Sequence, residues 1–221
     1  MNFRFFQGLK EPSVFLESWK TVESFTNIRS RMFALFFISS VIFGVVGWIG
    51  MGSQTWSGQF VTAYGLEYDL QRFYFFLGRI LLGILYIAVL LLFPALLYWL
   101  LADEHSYRKF VMIQIFPISI LLLEQLLFIL LMVWQGIDWH SSPFSLGVIG
   151  QLVIEHQWTI YFLGSISLFK IWVMYWQFLS LRIVTTLKWW VVFVIILAMN
   201  TLFWAITATF ATLNFHQYLY S

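Results

Sequence analysis

The chain has no cysteine, which excludes disulfides, thiolate metal sites, iron–sulfur centres and a thiol nucleophile. Charge is the second scarcity: Asp, Glu, Lys and Arg make up only 10% of the 221 residues, well below the share usual in soluble domains. With a net charge of +2 and basic residues spread over segment ends instead of one patch, nucleic acid is excluded as a partner. Gly-x-x-x-x-Gly-Lys-Ser/Thr and His-Glu-x-x-His are both missing, so neither nucleotide hydrolysis nor zinc proteolysis by those motifs is open to it. Gly164-Ser165-Ile166-Ser167 superficially resembles a nucleophile segment. No histidine falls in an apolar run to serve it, and Ser165 and Ser167 read more simply as small residues that let helices pack closely. An enzyme is therefore not expected, and no cofactor is implied. There is no internal repeat or low-complexity tract, and the N-terminal stretch lacks the basic n-region and brief apolar core of a cleaved signal.

What is abundant is apolar and aromatic: 61% hydrophobic residues, with 25 Phe, 12 Trp and 10 Tyr, and a mean hydropathy of +0.85. A soluble core of this size could not bury so many rings, whereas two membrane interfaces accommodate them. A helix needs roughly 20 apolar residues to cross ~30 Å of hydrocarbon, and such runs lie at 32–51, 75–101, 110–134, 159–178 and 189–210. The expected fold class is all-α, a polytopic membrane protein of five transmembrane helices. Residues 1–31 form an arm and 32–221 a single transmembrane domain.

Counting Lys and Arg between the runs gives the orientation. Arg4, Lys10, Lys20, Arg29, Arg31, Arg108, Lys109, Arg182 and Lys188 fall on one side, and only Arg72 on the other. The asymmetry alternates correctly only for an odd number of crossings, and it puts the N-terminus in the cytoplasm and the C-terminus outside a plasma membrane. The inner connections are too short for a catalytic domain and make antiparallel neighbours of the second and third helices and of the fourth and fifth. The outer connections, 52–74 and 135–158, are longer and rich in Gly, Ser and aromatics. In the arm, Ser13 can cap a short helix with Phe15, Leu16, Trp19 and Val22 on one face and Glu17 and Lys20 on the other, an amphipathic element suited to the membrane interface.

An ionisable group at the bilayer centre costs about 2.5 to 3.5 kcal/mol on insertion scales, so each needs a partner or a purpose. Glu124, Lys170 and Asn200 fall near the middle of the third, fourth and fifth runs. They are expected to form an intramembrane polar layer, an ion pair with Asn200 donating to it, which Gln114, Gln125 and Gln177 could extend. Such a layer serves assembly of the bundle, or else substrate or ion handling, or contact with lipid headgroups. Arg79 lies one turn inside the outer end of its run, where it can snorkel to headgroup phosphate. Pro94 and Pro117 permit kinks in adjacent helices, as inert bends or around a small cavity. Asp138, His140, Glu155, His156 and His216 share the outer face, but their spacing matches no known ligand set and they read as interfacial polar residues; no metal is expected.

Gly78-Arg79-Ile80-Leu81-Leu82-Gly83, Tyr107-Arg108-Lys109-Phe110 and Ile115-Phe116-Pro117, followed by Trp172, Trp176 and Lys188-Trp189-Trp190, resemble the Yip-domain family of five-helix membrane proteins over most of the chain. The arm here is shorter than in eukaryotic members, which leaves no clear seat for a trafficking GTPase. The resemblance implies a bacterial accessory protein, a scaffold that associates with another membrane complex such as an ABC-type exporter of peptides, toxins or antibiotics. The residues themselves leave two alternatives. One is a small transporter or channel using the Glu124, Lys170 and Asn200 layer, its symmetry supplied by homodimerisation. The other is a protein that binds membrane lipids.

Overall fold

The computed structural model describes residues 28–53, 64–102 and 106–213. Residues 1–27 of the arm, with its amphipathic stretch, and His216 lie outside them, whereas residues 28–31 open α1. The described residues fold into helices with no strand among them: α1 (Ile28–Ile49), α2 (Leu66–Leu101), α3 (Tyr107–Gln135), α4 (Gly147–Val153), α5 (Gln157–Gly164), α6 (Leu168–Val184) and α7 (Trp189–Thr212), with a single 3-10 turn at Trp139–Ser141 before α4. Four of them, α1, α2, α3 and α7, are long and apolar enough to cross a membrane, consistent with a multi-pass membrane protein.

The fourth expected crossing, 159–178, is not one helix. It is interrupted at Ser165, Ile166 and Ser167, so that α5 has 8 residues and α6 has 17, or about 12 and 25 Å of rise. Hydropathy averages over this break because Ile166 is apolar and the flanks are strongly so. Local chemistry makes it: Gly164 and Ser165 favour helix termination, and Ser167 starts α6 afresh by accepting the Lys170 backbone N–H at 3.2 Å on its hydroxyl, the usual N-cap device. A second difference lies in α2, which starts at Leu66 and not near 75. Glu67 and Asp69 in its first turn complement the positive end of the helix and carry it beyond the apolar run.

α3 is the central helix. Fifteen of its residues are buried, against six in the longer α2, because α1, α2 and α6 all pack on it. α1 and α2 form a close pair in which the Ser39 hydroxyl donates to the Gly83 carbonyl at 2.8 Å. α7 packs on α5 and α6. Phe116 of α3 stacks on Trp176 of α6 at 3.9 Å between ring centroids, fixing the register of these two helices. Pro94 and Pro117 are both buried in the core. The N-terminal ends of α1, α3 and α7 and the C-terminal ends of α2 and α6 make one face of the bundle. It carries Arg29, Arg31, Arg108, Lys109, Arg182 and Lys188 and is referred to below as the basic face.

Candidate functional site

The broken helix brings Lys170 within electrostatic reach of Glu124, two of the ionisable groups that the apolar runs contain. Ending α5 at Gly164 frees backbone carbonyls that a continuous helix would have paired. Lys170, half-buried on the first turn of α6, takes one of them: its ammonium donates to the Ser165 carbonyl at 2.8 Å. Glu124 of α3 is fully buried, with relative exposure of 0%, and lies within electrostatic reach of Lys170 and of Tyr86 on α2. Neither carboxylate oxygen has a hydrogen-bond partner among the described residues. The expected ion pair is thus not closed, because the carbonyl released by the break competes for the ammonium.

Asn200 is not joined to this pair. Its side-chain amide donates to Gln177 at 3.2 Å and to the Ile196 carbonyl at 2.9 Å, and the Gln177 amide donates onward to Gln114 at 3.1 Å. Gln114, Gln177 and Asn200 are all buried, so α3, α6 and α7 are tied by a three-residue amide relay. Gln114 precedes Glu124 by ten positions on one helix, which is about 15 Å along its axis. The polar groups therefore occupy two levels: an amide relay nearer the basic face and a charged level farther from it. Gln125 faces α2, near the Tyr86 hydroxyl. Arg79 donates to the Met51 carbonyl at 2.8 Å and lies over the Phe75 ring, 5.0 Å from its centroid. Its guanidinium thus caps the turn after α1.

A cap covers the charged level on the side away from the basic face. Leu146 N–H donates to the Ile166 carbonyl at 3.0 Å and Leu168 N–H to the Phe144 carbonyl at 2.9 Å, so the segment between the 3-10 turn and α4 pairs with the break itself through a short antiparallel bridge at Ser145 and Ser167. Four serines, Ser142, Ser145, Ser165 and Ser167, are buried there. Two glycines allow the approach: a Cβ on Gly147 would collide with the His140 carbonyl oxygen, and one on Gly164 would lie 2.9 Å from the His140 Cβ. His140 packs edge-on against Tyr161, 5.1 Å between centroids, with its Nδ1 buried and without a hydrogen-bond partner among the described residues. Burial holds its imidazole below the ordinary value and nearby Asp138 opposes that shift. Among the described residues no three His, Asp or Glu gather as a metal site.

Of the residues singled out from sequence, the structure places Glu124 near Lys170 and joins Gln114, Gln177 and Asn200. Ser165, as a backbone acceptor, and the buried Ser142 and Ser145 were not among them. The signal for Ser165 was the Gly-Ser-x-Ser segment, read there only as a packing feature. No family model, no curated protein and no solved structure matches the chain.

Proposed function

We propose that the chain is a small transport protein that handles a cation within the bilayer, with Glu124 as the group that takes it up and releases it. The observation that carries this reading is the fully buried Glu124 carboxylate, whose two oxygens have no donor among the described residues, beside a helix break. An intramembrane carboxylate needs a cationic partner, and interrupted helices whose free carbonyls line a cavity are a recurring way to build ion sites at membrane depth. α5 and α6 together serve as the fifth, broken crossing that the alternation of Lys and Arg requires, with the basic face in the cytoplasm of a plasma membrane and the C-terminus outside. Lys170 acts as the internal counter-ion: drawn to Glu124 it closes the site, and held by Ser165 it leaves the carboxylate open to a proton or a small monovalent cation. The buried serines between the break and His140 offer the polar lining by which such an ion reaches the outer side. A homodimer supplies the symmetry that a single five-helix chain lacks.

The test is flux of protons, sodium and potassium, each in its own assay, across proteoliposomes holding only the purified chain. The reading expects flux of one of these ions that falls to the empty-vesicle rate in Lys170→Met. Absence of flux for all three would refute it.

The second reading is a non-enzymatic accessory subunit of an ABC-type exporter. It draws on the Yip-domain resemblance, the missing energy-coupling motifs and the brevity of the links on the basic face, where α6 ends at Val184 and α7 begins at Trp189. Recovery of an ATPase and permease with the chain after mild solubilisation would favour it, and recovery of the chain alone would count against it.

A further inference from the structure

We propose that a groove on the basic face binds an anionic phospholipid, with Arg29 and Arg108 on its phosphate and the lipid's upper acyl region on an apolar floor. This site lies apart from Glu124 and does not depend on the transport reading. The groove is a cavity of about 730 Å³ between the first turns of α1 and α3 and the side of α2, within the range of specific ligand pockets. Its composition is graded with depth. Arg29 and Arg108, both exposed, stand one residue inside the ends of α1 and α3. Met32 and Val111 follow a turn deeper, and Leu92 lies nine residues inside the end of α2, about 13 Å along that helix. Tyr107 closes the side, its hydroxyl donating to the Leu92 carbonyl at 3.4 Å.

Two guanidiniums at headgroup level and aliphatic side chains below them reproduce the amphipathic profile of a glycerophospholipid. Guanidinium matches a phosphate diester through paired N–H donors, which a zwitterionic headgroup partly satisfies for itself. Basic pockets between transmembrane helices are characteristic seats for anionic headgroups.

The experiment is lipid retention by the full chain. Purified protein is exchanged against mixed vesicles of equal phosphatidylglycerol and phosphatidylcholine, washed with detergent, and the retained lipid counted by mass spectrometry. Wild type is expected to hold phosphatidylglycerol over phosphatidylcholine by about tenfold. The Arg29→Gln, Arg108→Gln double variant should bring that ratio near one, whereas Arg182→Gln, another cation on the same face, should leave it unchanged. If the double variant does not fold, Leu92→Trp decides: it fills the floor while leaving both arginines, and should reduce the retained phosphatidylglycerol to the same level. A wild-type ratio near one, or retention unchanged in Leu92→Trp, overturns the proposal.

Discussion

The Lys170 ammonium reaches back five residues to the Ser165 carbonyl, bridging the interruption between α5 and α6 at 2.8 Å. A lysine this deep in an apolar segment would be expected to spend its charge on the nearest carboxylate. Here it stabilises a broken helix end, and the Glu124 carboxylate has no donor among the described residues. The same contact thus holds the fold of the break and sets the chemistry beside it.

The two charges should therefore respond differently to removal. Lys170→Met deletes a charge-assisted hydrogen bond to a carbonyl that has lost its helical partner, a loss of about 1.5–3 kcal/mol. Glu124→Gln keeps shape and removes no hydrogen bond present among the described residues, and should cost less than about 1 kcal/mol. Thermal unfolding in detergent should show a larger drop in Tm for Lys170→Met. The reverse order would mean that the two residues are paired directly.

Gln177 is the middle of the amide relay, accepting from Asn200 and donating to Gln114. In a double-mutant cycle, Gln177→Leu and Asn200→Leu should be coupled by about 0.6 kcal/mol and by no more than about 1.7, the range for hydrogen bonds between helices in membranes. Strict additivity would show that the relay contributes packing only.

The space around each glycine separates two substitutions. Gly147→Ala places a methyl group against the His140 carbonyl oxygen, a backbone atom that cannot turn aside. It should displace the cap and make the 136–154 segment sensitive to protease. Gly78→Ala meets nothing within 4 Å and should leave stability unchanged or raise it by up to about 1 kcal/mol. Equal protease resistance of the two variants would contradict the packing described for the cap.

His140 gives the cap a pH dependence whose sign follows from its burial. The folded state holds its imidazole below the ordinary value, so between that lowered value and about 6.5 the unfolded chain binds the proton more readily. Stability is therefore complete above about pH 6.5 and declines as the pH falls below it. His140→Gln should flatten the decline. Asp138→Asn removes the charge that opposes the shift and should steepen it. A Tm that rises on acidification in wild type but not in His140→Gln would reverse this assignment.

The apolar runs were legible because a membrane helix carries its signal in bulk hydropathy. α1, α3 and α7 begin and end within four residues of the runs at 32–51, 110–134 and 189–210. The break after Gly164 was not legible in the same way, since it depends on which atom pairs with Ser167 and Lys170 and not on how apolar the stretch is. Depth was the other difficulty. Asn200 sits midway along its run as Glu124 does along its own, but helices of unequal length and offset bring mid-run residues to different levels. Asn200 consequently meets Gln177 and, only through it, Gln114, residues read from sequence only as possible extensions of the layer. Arg79 was expected one turn inside the end of its run, but α2 begins at Leu66, thirteen residues before it, and its partner, the Met51 carbonyl, arises from a turn whose path no periodicity describes.

The most direct test of the cation-handling account is whether the Glu124 carboxyl itself turns over with the ion. Purified protein in proteoliposomes is treated with a hydrophobic carbodiimide, the labelled residue is identified by peptide mass spectrometry, and flux is measured on the same sample. The account predicts that Glu124 is labelled, that residual flux falls in proportion to the labelled fraction, and that Glu124→Gln has neither label at this position nor flux. Flux in Glu124→Gln equal to that of wild type would contradict it.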